Sequence, residues 1–151
     1  MILSCAISLT DQVPGTAGAS VQATRVWNQF VFSYRHASLN PFERLINAAN
    51  VGSLTLTWNG PADPNPICCS SPVGVGGTVH AATGDNRLRA YRASDGMILW
   101  NSNVGGGQVS TPAVNVGKVF VGSGDWSVYA FDAASGVQAW TYNKLYVFGL
   151  P

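Results

Sequence analysis

Cys68 and Cys69 stand side by side, the one pairing in this sequence whose residue types and spacing could do redox chemistry. Adjacent cysteines can close a strained eight-membered disulfide ring. In a strand they instead point to opposite faces, one thiol toward the core and one outward. With Cys5 the chain has three cysteines, an odd count that argues against a simple disulfide framework and leaves the redox compartment open. No further Cys or His lies at ligand spacing from the pair, so a metal site is not expected. The two histidines are His36 and His80. His36 lies in the irregular stretch "SYRHAS", with no partner that would make it a general base. His80 lies in "TVHAAT" and is expected to fill a half-buried packing slot. Asp85 and Asp125 suggest a carboxylate pair, but each follows a glycine (Gly84, Gly124) at the same point of a repeat, which assigns them to turns. Asp132 stands where the earlier copy has Arg92, and a surface or inter-unit polar contact is expected for it. "GTAGAS" (15–20) and "VGGGQ" (104–108) are not phosphate loops: no Lys-Ser/Thr follows and no helix opens there. No catalytic residue and no metal ligand is assigned.

The elements that must position these residues are given by a repeat. "SSPVGVGGTVHAATGDNRLRAYRASDGMILW" (70–100) aligns without a gap on "STPAVNVGKVFVGSGDWSVYAFDAASGVQAW" (110–140). Ser70, Pro72, Gly77, Gly84-Asp85, Ala90, Gly96 and Trp100 meet Ser110, Pro112, Gly117, Gly124-Asp125, Ala130, Gly136 and Trp140. His80 meets Phe120. A fixed period of this length marks one supersecondary unit used repeatedly. Each copy reads as four short strands: one after the proline, tolerated before the ladder begins; one alternating strand; a hairpin at Gly-Asp, residues that tolerate positive φ; a third strand; a turn at "SDG" or "ASG"; and a fourth strand ending in Trp. No helical period of 3.6 is visible. The fold class is therefore all-β, built of β-propeller blades in an incomplete ring.

Composition agrees. At 46% hydrophobic and 10% charged the chain can fill a core, which excludes broad disorder. Seventeen glycines and eight prolines suit short strands with tight turns. A net charge of +1 gives no electrostatic reason to expect nucleic acid or an acidic membrane surface as partner. No stretch reaches the roughly 18 apolar residues of a membrane helix. "MILSCAISL" is short and lacks a basic start, so residues 1–25 read as a signal remnant or linker. "LSC" at Cys5 loosely resembles a lipoprotein cleavage site, but four preceding residues cannot supply its hydrophobic region.

"LTLTW" (54–58) has the shape of a fourth strand without the first three. A propeller can close its ring by letting such a strand complete the last blade. The expected organisation is a lead-in with this closing strand (26–59), blade 1 (60–100), blade 2 (101–140) and a non-repeat tail or truncated next blade (141–151). Two blades and one strand do not make a ring of about 4–8 blades. The expected partners are therefore missing blades of a larger protein, or further copies of this chain.

The pattern "SSPVxVGGTVxxxTGDxRLxAYxAxDGxxLW" resembles the PQQ-type β-propeller repeat, found in quinoprotein dehydrogenases and in outer-membrane assembly lipoproteins related to BamB. Trp100 and Trp140 resemble that family's tryptophan-docking motif, in which the indole of one blade packs on the next, and Trp58 belongs to the same series. Upstream, Trp27, Ile46-Asn47, Asn50-Val51, Leu54, Leu56 and Trp58 resemble the segment that leads into these propellers. The resemblance covers residues 26–140. It implies one of two functions, because members with and without catalysis share these structural motifs. The first is a non-catalytic binding or scaffold module. The alternative is the N-terminal part of an alcohol or sugar dehydrogenase using PQQ and calcium. In that alternative a vicinal cysteine pair packs flat on the quinone, and Cys68-Cys69 would be the cofactor contact. The family's pair, however, sits about one blade further in and precedes an Asp and an Arg-Gly stretch; here Ser70-Ser71-Pro72 follow. The calcium Asn and Asp, the base Asp, the Arg and the Trp of a quinone site are expected beyond this stretch. No activity and no cofactor are expected for these residues alone. The resemblance places the protein in the periplasm or outside the cell. The ligand is not specified by the sequence.

Overall fold

The computed structural model describes residues 46–60, 70–107 and 109–143. Cys5, Trp27, His36 and the Cys68-Cys69 pair lie outside the described residues. A short 3-10 turn, Val51–Ser53, precedes eight strands in two sheets. The first sheet is β1 (Val73–Val75), β2 (Thr78–Thr83), β3 (Arg87–Arg92) and β4 (Ile98–Asn103); the second is β5 (Ala113–Asn115), β6 (Lys118–Ser123), β7 (Ser127–Asp132) and β8 (Gln138–Asn143). Both are antiparallel meanders in sequence order. The chain is thus all-β, with each repeat folded as one propeller blade.

Alternation along the strands gives each sheet two apolar faces. One face of the first sheet carries Val79, Ala81 and Tyr91, which pack with Trp58. Its other face carries Ala82, Leu88, Ala90 and Trp100, which meet Val114, Val119, Val121 and Phe131 of the second sheet in the main core. The strands are short, and both faces of the first sheet are covered.

The turns differ in kind. Gly76-Gly77 and Val116-Gly117 have positive φ at both positions (56° and 78°; 44° and 68°), the two-residue hairpin geometry that matches strand twist. At the Gly-Asp hairpins the left-handed residue is not Gly84 or Asp85, as the sequence suggests, but Asn86 (φ 60°), and Trp126 (φ 65°) in the second copy. Thr83 pairs with Arg87, and Asn86 N–H bonds the Thr83 carbonyl at 3.1 Å. The loop therefore has three residues, and its last one takes the left-handed position.

The fourth strands run to Asn103 and Asn143, three residues past the tryptophan, so each blade extends beyond its expected end at 100 or 140. Residues 54–58 form no strand; Leu56 makes a single bridge. Pro112 has no N–H to donate, so the ladder on β6 is interrupted between Val109, which bridges Ser123, and Ala113, which pairs with Phe120.

Candidate functional site

The seam between the blades is where the repeat brings side chains together. It is set by the fourth strand. In β4 the register shifts between Ala90 and Tyr91, so Leu99 is left over and Trp100 pairs with Ala90. β8 does the same before Trp140. A bulge of this kind re-aims the following side chain, and it turns Trp100 toward the second blade. There the indole N–H donates to the Ala133 carbonyl at 2.9 Å. Its six-membered ring lies against Gly136, where a Cβ would approach ring carbons to 2.6 Å, and Ser102 Oγ donates to the Gly136 carbonyl at 2.5 Å. Trp58 repeats the arrangement one unit earlier: its N–H donates to Ala93 O at 2.9 Å, its ring lies on Gly96, and it stacks on Tyr91 with centroids 5.8 Å apart. Among the described residues Trp140 has no such cover, and it is 43% exposed. The segments leading into β1 and β5 add a lighter contact, with Ser71 N–H donating to Thr111 Oγ1 at 2.9 Å.

Asp85 and Asp125 do not meet as a catalytic pair; each is used inside its own hairpin. Asp85 accepts from Thr83 Oγ1 at 2.6 Å and is paired with Arg89. Burial pushes its carboxyl upward, but the hydrogen bonds from Thr83 and Arg89 and the Arg89 charge hold it below the usual carboxylate range. Asp125 accepts from Tyr129 Oη at 2.6 Å and Ser127 N–H at 3.1 Å. These bonds outweigh its burial and likewise lower it, while Tyr129 is raised by the same contact. Gly105 lets the linker pass over this pair, since any Cβ there would collide with Asp125 and Tyr129. Asp132 caps its own turn through Ser135 and Ala134.

His80 is more deeply buried than the half-buried slot expected of it, with 2% of its surface exposed. It pairs with Val73 and Ala90 and tilts against Trp100 at 5.5 Å, as Phe120 does against Trp140 at 6.0 Å. Burial pulls its pKa down to about 4. Its Nδ1 has no hydrogen-bond partner among the described residues. His80 also lines a cavity of about 390 Å³ between the blades, which the sequence did not indicate. Among the described residues, no three His, Cys, Asp or Glu side chains gather as metal ligands, and no helix is long and apolar enough to cross a membrane.

Two four-stranded units at a constant period, joined through Trp on Gly, define a β-propeller repeat protein of the PQQ type. Comparison with known proteins agrees. The chain belongs to the PQQ_2 family, described as outer membrane protein assembly factor BamB, which matches residues 21–145. It is similar to the dehydrogenase subunit of the quinone alcohol dehydrogenase of Gluconobacter oxydans (strain 621H), with 29% identity over 126 residues, covering 76% of this chain and 16% of that one. The quinohemoprotein alcohol dehydrogenase of Comamonas testosteroni superposes with a TM-score of 0.69 at 26% identity, over 78% of this chain and 19% of that one. BamB from Moraxella catarrhalis shares the fold at a TM-score of 0.51 and 21% identity, over 63% and 29%. The chain thus spans under a third of the length of each of these proteins.

Proposed function

We propose that this chain supplies two adjacent, non-catalytic blades to a PQQ-type propeller whose assembled ring oxidises an alcohol with PQQ and calcium in the periplasm. The observation that carries the reading is the likeness to quinone alcohol dehydrogenases, in sequence and in fold, over about three quarters of the chain. In this reading Trp58 and Trp100 act as tryptophan-docking residues that fix the angle between blades, and Trp140 offers the same indole to a following unit. Among the described residues no three His, Cys, Asp or Glu side chains gather to hold a calcium ion. Cys68-Cys69 remain the pair through which this stretch would touch a quinone, on the strength of the resemblance alone. A second reading, a binding platform without catalysis, is favoured by the BamB family match.

Dye-linked alcohol oxidation separates the two readings. The 151-residue chain with added PQQ and Ca²⁺ is expected to show no turnover, because a quinone site needs several blades around one axis. A protein carrying these blades with the rest of its ring is expected to reduce the dye. Absence of turnover and of PQQ binding in that protein would sink the dehydrogenase reading and leave the platform.

A further inference from the structure

The one Asn-Gly pair in this sequence, Asn59-Gly60, directly follows the tryptophan that covers the first blade. Trp58 is held on three sides: its ring lies on Gly96, it stacks on Tyr91, and its indole N–H donates to the Ala93 carbonyl at 2.9 Å. After it the chain is free. Asn59 is exposed and neither residue of the pair lies in a strand or turn. Among the described residues, neither the Asn59 side chain nor the Gly60 N–H has a hydrogen-bond partner. Other asparagines are held or shielded. Asn47 and Asn50 accept backbone N–H groups of their own turn, and Asn101 accepts from Arg87. Asn115 precedes a valine, whose branched side chain crowds the backbone nitrogen that follows. Gly60 has no side chain, so its nitrogen is open to approach and its backbone has the widest freedom. The one Asp-Gly pair, Asp95-Gly96, shows a similar dipeptide locked in place. There the Gly96 N–H donates to the Arg92 carbonyl at 2.8 Å, and the carboxylate accepts from Met97 N–H at 3.0 Å and from Arg92 at 2.9 Å.

We propose that Asn59-Gly60 is a site of spontaneous deamidation, and that its isoaspartate product loosens the Trp58 contact. The Gly60 backbone nitrogen gives up its proton and attacks Asn59 Cγ. A C–N bond forms, the bond from Cγ to the side-chain nitrogen breaks, and that nitrogen leaves with the proton as ammonia. The product is a five-membered succinimide ring. Water then adds to one of the two ring carbonyls and opens it. Opening at Cγ leaves aspartate at position 59; opening at the main-chain carbonyl leaves isoaspartate, with the chain now running through Cβ and Cγ. No electrons are transferred, and water is the only co-reactant. Both products carry a carboxylate where the amide was neutral. Isoaspartate also adds one carbon to the main chain, one residue from Trp58. The indole is poorly placed to absorb that change. It is buried with Val79, Ala81 and Tyr91, and its seat on Gly96 leaves no room even for a Cβ. A contact packed this closely tolerates little displacement. Loss of ammonia makes the change one-way, so the pair acts as a timer on the cover of the first blade. The site needs no cofactor and stands independently of the dehydrogenase reading.

The test incubates the full chain at neutral pH, folded and in guanidinium chloride, and follows it by peptide mapping with mass spectrometry. An isoaspartate-specific carboxyl methyltransferase reports the second product. Conversion at Asn59 is expected in the folded chain at a rate within about twofold of the unfolded one, because no local opening has to precede it. Asp95-Gly96 is expected to isomerise only in the unfolded chain. Asn59→Gln, whose longer side chain disfavours the ring, is expected to block conversion and leave the fold unchanged. In the isoaspartate form, separated by charge, the Trp58 indole N–H is expected to exchange with deuterium about tenfold faster, the factor for losing one hydrogen bond's worth of local stability. Asn59→Asp carries the charge on an ordinary main chain and is expected to show a smaller rise. Conversion slowed about tenfold or more by folding would show that the pair is held, and would overturn the site. An indole exchange rate unmoved by conversion, or raised equally by Asn59→Asp, would overturn the coupling of the extra main-chain carbon to Trp58.

Discussion

At the scale of single residues the chain is governed by a few positions that repeat and a few that do not. His80 is neutral in the fold, with its pKa pulled to about 4 from an ordinary 6.5. The unfolded chain takes up the proton as pH falls below 6.5, and the folded chain does so only near 4. The stability tied to the neutral ring is therefore complete above pH 6.5 and is lost as pH falls toward 4, a total of about 3 kcal/mol. The lowered aspartates, Asp85 and Asp125 among them, act in the same direction but below their ordinary value of 3.8. Urea midpoints at pH 7.5 and 4.5 should thus fall sharply for the native chain, and His80→Phe should remove most of the drop. An undiminished drop in the variant would mean that another group titrates. Gly136 gives a prediction of opposite kind. Its φ is 71°, and a Cβ there would approach the Trp100 ring to 2.6 Å. Gly136→Ala combines backbone strain with overpacking and should cost about 2–3 kcal/mol, read from chemical unfolding. Gly76→Ala, with positive φ but open space around it, should cost less, which separates the clash from the strain.

At the scale of elements the fourth strand and its bulge decide the architecture. The bulge aims Trp100 at the turn of the next blade, and the indole contributes both bulk and one hydrogen bond to Ala133. Trp100→Phe keeps most of the bulk and should cost about 1 kcal/mol. Trp100→Ala empties the main core and should cost about 3–5 kcal/mol. Equal losses would place the whole effect in the hydrogen bond and contradict the packing argument. The strands were legible in the sequence because period-2 alternation, Pro before the first strand and Gly in the turns are local signals. Two things were not. The left-handed residue at Asn86 and Trp126 follows from loop length, which the Gly-Asp pair alone does not fix. The strand end at Asn103 and Asn143 follows from continued pairing with Arg87 and Ser127, while the repeat was recognised only as far as its tryptophan. The turn position of Asp85 could be inferred from repetition; the unpaired Nδ1 of His80 could not, because it depends on how the blades pack around the ring.

At the scale of the molecule the two sheets are not equivalent. The first is covered on both faces, by Trp58 and by the second blade. Among the described residues the second is covered on one. All six residues of β8 are exposed, Trp140 at 43% and Tyr142 at 62% among them. The bulge has placed Trp140 beside Phe120 in the register that Trp100 has on β3, and among the described residues no glycine turn lies beneath it. An edge strand with unpaired backbone groups and a large apolar side chain on its face favours association. The chain by itself is therefore expected to self-associate, with a sedimentation coefficient that rises with concentration over the micromolar range. Trp140→Ser should lower that tendency and leave the unfolding midpoint almost unchanged, because among the described residues it packs on no other blade. The same substitution at Trp100 should unfold the chain. If Trp140→Ser instead destabilised the monomer as strongly as Trp100→Ser, the indole would already have a partner within the chain, and the face of β8 would not be the surface on which another blade is received.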